Sequence, residues 1–157
     1  MVEINSTSRL FNIKELVLLT QTDTTVGFLS QNELKLQTIK QRPPNKPFIK
    51  VYKNLKSLSS SKIRIPNTQK SKLRRAKKTT FVVKNSAFRV AANRLHSTIL
   101  SNLEWSYSTS ANESGKKFQR EFCEENSDII IENINSLHEG SASTLYKINN
   151  KKIVRLR

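Results

Sequence analysis

"KQRPPNKPF", residues 40–48, places three of the chain's four prolines within five positions. Each proline fixes its own φ and restrains the residue before it, so Lys40, Arg42 and Lys46 are held in fixed relation to one another. A solvated basic loop needs no such stiffening. A loop that presents cations to a polyanion gains from it, because part of the ordering cost on binding is met in advance. The stretch runs straight into PFIKVY (47–52), whose alternation predicts a strand.

Charge extends the same theme. The chain has 157 residues, enough for one domain with one core (1–157), and carries 28 Lys and Arg against 12 Asp and Glu, a net charge of +16. From Leu34 to Leu103 there is no acidic residue, and 18 of the 28 basic residues fall there. Such asymmetry points to a strongly positive face whose partners are phosphates, on nucleotides or on RNA. The single cysteine, Cys123, excludes an intramolecular disulfide and indicates a reducing compartment. The N-terminal MVEINSTSRLFNIKE has acidic residues and no long apolar run, so it reads as no secretory signal. Runs such as LVLL and III are too short for a bilayer. The expected location is the cytoplasm, with no membrane partner.

Outward from 40–52, ELVLLTQTD (15–23) reads as a buried strand leaving into a turn, and QNELKLQTIK (31–40) as a brief helix with Leu34 and Thr38 on one face. KNLKSLSSSKIRIPNTQ reads as an irregular loop, and KSKLRRAKK (70–78) as one or two exposed helical turns, basic all round. TTFVVKN and AFRVAA are strand-like. NRLHSTILSNL (93–103) repeats Leu95, Ile99 and Leu103 every fourth residue behind Asn93 as N-cap, which predicts a helix. WSYSTSAN (105–112) reads as a strand running into a loop. GKKFQREFCEEN (115–126) reads as a helix with Phe118 and Phe122 four apart, and SDIIIEN, STLYKIN and KKIVRLR as closing strands. Several strands, few helices and no strict βαβ alternation predict an α/β domain on a mixed sheet. The three glycines, Gly27, Gly115 and Gly140, fall at strand ends beside Ser/Thr clusters, where backbone turns or lets a ligand approach.

The chemistry narrows by elimination. His96 and His138 have no ligand spacing with Cys123, so a Cys/His zinc site is excluded, and His96 reads as a surface or half-buried structural residue. There is no nucleophile elbow, no Walker A loop and no G-x-G-x-x-G. What remains are hydroxyl-rich turns, TDTT (22–25), STSAN (108–112) and SAST (141–144), beside the cations of 40–46. Such turns donate to phosphate or carboxylate oxygens, and they also serve as ordinary caps and turns. Spacing alone leaves both readings open.

In order along the chain, TDTTVG (22–27), IKQRPPNKPF (39–48), TTFVV (79–83), AFRV (87–90), YSTSANESG (107–115), SAST (141–144) and IVRLR (153–157) resemble the motifs of the YrdC-like threonylcarbamoyl-AMP synthase family. The resemblance covers about Glu15 to Arg157. K-x-RP-x-x-KP and STSANESG are its most specific pieces. It implies a twisted, mixed open sheet with flanking helices and a basic concave cavity. It also implies condensation of L-threonine, bicarbonate and ATP, with Mg²⁺, into threonylcarbamoyl-AMP and pyrophosphate for N6-threonylcarbamoyladenosine in tRNA. Carried over by position, Lys40, Arg42, Ser110 and Asn112 form the catalytic set around ATP, with Lys46 and Arg155 as further ATP contacts. Thr24, Arg89, Ser108 and Ser143 line the threonine pocket, Arg89 meeting the carboxylate, and no metal ligand is assigned. The alternative is a relative that binds tRNA or double-stranded RNA without the reaction. Partner proteins of tRNA modification fit either. The chain departs from the family pattern at Val26 (for Tyr), RAKK (75–78, for P-G-P), Ala91 (for Pro), Val51 (for His) and Lys147 (for Asp).

Overall fold

Nine strands form one mixed sheet in the order β7-β1-β2-β6-β3-β5-β4-β8-β9 in the computed structural model, which describes residues 12–92 and 94–157. The strands are β1 (Leu18–Gln21), β2 (Val26–Ser30), β3 (Ile49–Tyr52), β4 (Thr79–Val83), β5 (Ser86–Val90), β6 (Trp105–Ser110), β7 (Ile129–Ile131), β8 (Thr144–Ile148) and β9 (Ile153–Arg155). Pairs β1–β7, β3–β5 and β4–β8 are parallel and the rest antiparallel. The helices are α1 (Glu33–Lys40), α2 (Leu55–Ser59), α3 (Lys70–Arg75), α4 (Arg94–Ile99) and α5 (Arg120–Glu125). This is the expected single-domain α/β mixed sheet with flanking helices. Among the described residues no helix is long and apolar enough to cross a membrane.

Register decides which side chains share a face, because residues paired across strands project together and chain neighbours alternate. On β3 and β6, Val51 pairs with Ser106 and Ile49 with Ser108, while Lys50 pairs with Tyr107 and Tyr52 with Trp105. Val51 also pairs with Arg89 on β5. One face thus carries Arg89, Ser106, Ser108 and Ser110; the other carries Lys50, Tyr52, Trp105 and Tyr107.

The aromatic face is covered twice. Leu19, Phe28 and Phe48 pack with Leu36 of α1 and Cys123 of α5, and Tyr52, Phe81 and Phe88 pack with Leu58 of α2 and Leu73 of α3. On the hydroxyl face, Leu18, Leu29 and Val51 pack against Leu100 and Leu103, just beyond α4. Each such fully buried Leu or Phe contributes about 1.5–3 kcal/mol.

Several expected details change. Helix α1 buries Leu36 and Lys40, whereas Leu34 and Thr38 are exposed. Its neighbour Gln41 adopts a left-handed conformation (φ 45°), and the Arg42 amide donates back to Gln37 O at 3.0 Å, a Schellman-type end that aims the proline loop. Part of the segment read as irregular is helical: Asn54 caps α2 by accepting from the Ser57 amide, and Leu58 is buried. Helix α3 is not exposed all round, since Leu73 is buried. In α4 the inward residue is His96, followed by Leu100 and Leu103. Helix α5 begins at Arg120, so Phe118 precedes it. Residues 1–11 and the Asn93 cap lie outside the described residues.

Candidate active site

The TDTT turn joins β1 to β2. Thr22 closes it: its hydroxyl donates to Thr25 O at 2.7 Å and accepts from the amides of Thr24 and Thr25 at 3.2 and 3.3 Å. The turn therefore holds Asp23 and Thr24 in one geometry. Arg89 Nη1 donates to Thr24 Oγ1 at 2.8 Å, and Arg89 Nη2 lies 3.6 Å from the Asp23 carboxylate. His96 Nδ1 lies 3.4 Å from the same carboxylate oxygen, and all four residues are buried. Burial alone pushes the Asp23 carboxyl upward. The His96 hydrogen bond and the Arg89 charge outweigh it, and the net shift is downward. Burial pulls the Arg89 guanidinium below the usual arginine value, with Asp23 opposing.

His96 is thus no surface or half-buried residue but fully enclosed, because α4 delivers it beneath the turn. A second clasp comes from residues 138–140. The Val26 amide donates to His138 O at 3.2 Å and the Gly140 amide to Thr25 Oγ1 at 3.1 Å. A Cβ on Gly140 would stand 1.9 Å from Thr24 O, so only glycine permits this approach.

At the exit of β6 the STSAN loop is held by Lys40. Its Nζ donates to Ser110 O (3.0 Å), Asn112 O (2.5 Å) and Asn112 Oδ1 (2.8 Å). Ser110 Oγ donates to Asn112 Oδ1 at 2.6 Å, and Asn112 Nδ2 donates to Lys116 O at 2.6 Å. The proline loop and the hydroxyl-amide loop, about 70 residues apart in the chain, are therefore joined by one ammonium group. Burial lowers the Lys40 pKa to about 8. Arg42 lies over the Phe48 ring, its Cζ 4.6 Å from the centroid, and burial lowers its pKa too. Its Nε is buried with no protein acceptor among the described residues, as are Arg89 Nε and Thr20 Oγ1. Lys46 is exposed, on a turn closed by its amide donating to Pro43 O at 3.0 Å.

Ser108 is buried on the hydroxyl face, one pair along from Val51 and Arg89. Ser143 Oγ lies 2.8 Å from Thr80 Oγ1, and Ser143 O accepts from Arg157 Nε and Nη2 at 3.3 and 3.2 Å. Arg155 is not brought to this group: it pairs with Tyr146 and so shares the aromatic face. The structure thus unites Thr24 with Arg89, and Lys40 with Ser110 and Asn112. Sequence reasoning marks Gly140 as a turn or close-approach glycine but does not name Asp23, His96, Thr80 and Arg157 as site residues. Asp23, Thr80 and Arg157 lie inside the TDTTVG, TTFVV and IVRLR motifs, whereas His96 carries no local signal of a site. A groove of about 1110 Å³ opens on the aromatic face, and none of the predicted site residues lines it.

The order and spacing of these loops find a match across the chain: the Sua5/YciO/YrdC family profile, described as "Telomere recombination", aligns with residues 14–157. The chain belongs to the Sua5/YciO/YrdC family. Solved structures agree on the fold. P. abyssi Sua5 complexed with L-threonine superposes with a TM-score of 0.74 at 20% identity, over 92% of this chain and 51% of that one. E. coli YciO gives 0.71 at 20% identity, over 92% and 83%. Full-length HypF in its phosphate- and nucleotide-bound form gives 0.71 at 13% identity, over 91% and 27%. The chain spans about half the length of the P. abyssi Sua5 structure. A comparison with curated proteins finds no significant sequence match.

Proposed function

We propose that this Sua5/YciO/YrdC-family chain makes L-threonylcarbamoyladenylate from L-threonine, bicarbonate and ATP with release of pyrophosphate, and that the adenylate feeds tRNA threonylcarbamoylation in the cytoplasm. The observation that carries the reading is the pair of preformed loops. Arg89 is fixed by Thr24 and Asp23, and Ser110 and Asn112 are fixed by Lys40. The L-threonine bound by the P. abyssi Sua5 structure agrees with an amino-acid site in this fold. The nucleotide bound by HypF agrees with a phosphate-bearing ligand.

In this reading the threonine carboxylate lies against Arg89, whose Nε is buried without a protein acceptor among the described residues. Thr24, Ser108 and Ser143 line the remaining wall. Threonine's amino group condenses with bicarbonate, a C–N bond forming as water leaves, and the resulting carbamate presents an oxygen to the α-phosphorus of ATP. A P–O bond forms there as the bond to pyrophosphate breaks. Arg42 and Lys46, on the proline-stiffened loop, oppose charge building on the phosphoryl oxygens and on departing pyrophosphate. Ser110 and Asn112 orient the nucleotide. The rate gain is electrostatic preorganisation, since the cations are held before substrate arrives.

Among the described residues no three His, Cys, Asp or Glu side chains cluster to hold a metal ion, and Asp23 is engaged with Arg89 and His96. The residues therefore do not form a protein site for Mg²⁺, and no step is assigned to one. The test is pyrophosphate release from ATP with and without L-threonine and bicarbonate, in the wild type and in Arg42→Ala. Release that needs both co-substrates and drops in the variant supports the reading. Tight tRNA binding without turnover rejects it.

A further inference from the structure

The groove on the aromatic face has a chemistry of its own. Lys50, Tyr52, Trp105 and Tyr107 project into it, and they alternate along β3 and β6 with Val51, Ser106 and Ser108 of the opposite face. The wall carries six cations, Lys50, Lys53, Lys56, Lys62, Arg64 and Lys84, against the two carboxylates Glu33 and Glu104. Glu104 is already engaged: it accepts from the Ser57 hydroxyl at 2.5 Å and lies 3.6 Å from Lys53. On the floor, Trp105 and Tyr107 meet edge to face, their centroids 5.2 Å apart and their planes at 89°. Lys50 Nζ stands 4.7 Å from the Trp105 centroid and 5.2 Å from that of Tyr107. A sheet floor of two aromatic rings beneath a rim of cations answers two features at once, a planar base and a phosphate chain.

We propose that this groove binds a single-stranded polynucleotide, with one base stacked against Trp105 or Tyr107 and the backbone phosphates drawn to Lys56, Lys62, Arg64 and Lys84. Three chemistries compete. A duplex keeps its bases stacked inside and offers no face to rings set in a concavity. An acidic peptide matches the charge but leaves the rings without a planar partner. A lone nucleotide fills little of 1110 Å³, already beyond the about 300–1,000 Å³ of ordinary small-ligand pockets. The inference does not rest on the proposed reaction: none of the residues assigned to that reaction lines the groove, although Arg42 stacks on Phe48 at its edge.

Trp105 is the chain's single tryptophan, so its fluorescence reports stacking directly. The test titrates the full chain with fluorescein-labelled oligouridine and oligodeoxythymidine of about 12 nucleotides, within the about 4–16 that one small domain covers. Anisotropy follows binding, and unlabelled strands follow tryptophan quenching. The proposal expects saturable quenching, with RNA or DNA preference read from the two strands. It expects binding to fall with salt at a log–log slope near −3, from four to five phosphates at about −0.7 each. Lys56→Glu/Arg64→Glu, both exposed positions, weakens binding at least about 10-fold and flattens the slope. Lys151→Glu/Lys152→Glu, equal in charge but distant on the β8–β9 turn, stays within about twofold by the same counting. The thermal shift produced by ATP is unchanged in Lys56→Glu/Arg64→Glu, which separates failure here from failure of the synthase reading. Binding without quenching, equal losses in both double variants, tighter binding of duplex RNA, or equal quenching by polyglutamate would each overturn the proposal.

Discussion

Lys40→Met separates holding a fold from holding a site. The side chain is 7% exposed, so methionine keeps most of the buried stem while deleting the ammonium. Of its three acceptors, Ser110 O keeps the Asn112 amide at 3.1 Å and Asn112 Oδ1 keeps the Ser110 hydroxyl at 2.6 Å. Asn112 O loses its ammonium partner, at about 1–3 kcal/mol for an unmet buried acceptor. Against this stands the burial that lowers the Lys40 pKa from 10.5 to about 8, a penalty on the order of 3 kcal/mol. The two nearly cancel. Global stability should change by no more than about 2 kcal/mol, a Tm shift within about 8 °C for a chain of this size. The loop, however, loses its tie to the proline segment. Amides of residues 110–116 should exchange faster, and ATP affinity should fall at least about 10-fold, equivalent to about 1.4 kcal/mol. Differential scanning fluorimetry, hydrogen exchange and ATP titration read the three quantities. A Tm loss well beyond 8 °C with unchanged ATP affinity would refute the reasoning and make Lys40 a core residue alone. The sign with pH follows from the same group. The unfolded chain holds the Lys40 proton more tightly, so between pH about 8 and 10.5 this group makes stability rise with pH, while the charged clamp itself is lost through about 8.

Arg89→Met strands the Asp23 carboxylate in the interior and should cost about 3–5 kcal/mol by thermal or urea unfolding. Because Asp23 is held below the ordinary carboxylate value, its contribution is present above that range and is lost as pH falls through the depressed folded value. Removing Arg89 should therefore move the acid-unfolding midpoint to higher pH, and an unmoved midpoint would contradict the pairing. Gly140→Ala drives a methyl into Thr24 O and should cost about 1–3 kcal/mol while weakening L-threonine binding, measured by calorimetry. Leu36→Ala should cost about 2–5 kcal/mol and Leu34→Ala less than about 0.5, by chemical denaturation; equal effects would reverse the assigned inward face of α1.

Strands β1, β3 and β5 were legible because the apolar run in ELVLL and the alternation in PFIKVY and AFRV survive folding unchanged, whereas β2 (Val26–Ser30) was not read as a strand. The inward face of α1 was not: eight residues allow Leu34 with Thr38, or Leu36 with Lys40, and only the fit against Phe28 and Phe48 decides. A buried lysine runs against ordinary expectation, and the oxygens that justify it lie 70 residues away. Helix α2 hid in a serine-rich stretch because its stability rests on the Asn54 cap and the burial of Leu58 rather than on a repeating apolar stripe. Motif order named Thr24, Arg89, Ser110 and Asn112, and the fold brings Thr24 to Arg89 and both Ser110 and Asn112 to Lys40. Register on β9 pairs Arg155 with Tyr146 on the aromatic face, whereas Arg157, past the end of the strand, reaches Ser143 O. The aromatic-face groove gathers β3, α2, the β4–β5 turn and β6, a convergence that no local pattern encodes.

The most direct test of the account is pyrophosphate release by the purified chain given ATP, L-threonine and bicarbonate, with each omitted in turn. Release should require all three and be abolished in Arg89→Lys, which keeps the charge but loses the two-pronged grip on Thr24 and Asp23. Release indifferent to L-threonine, or retained in full by Arg89→Lys, would contradict it.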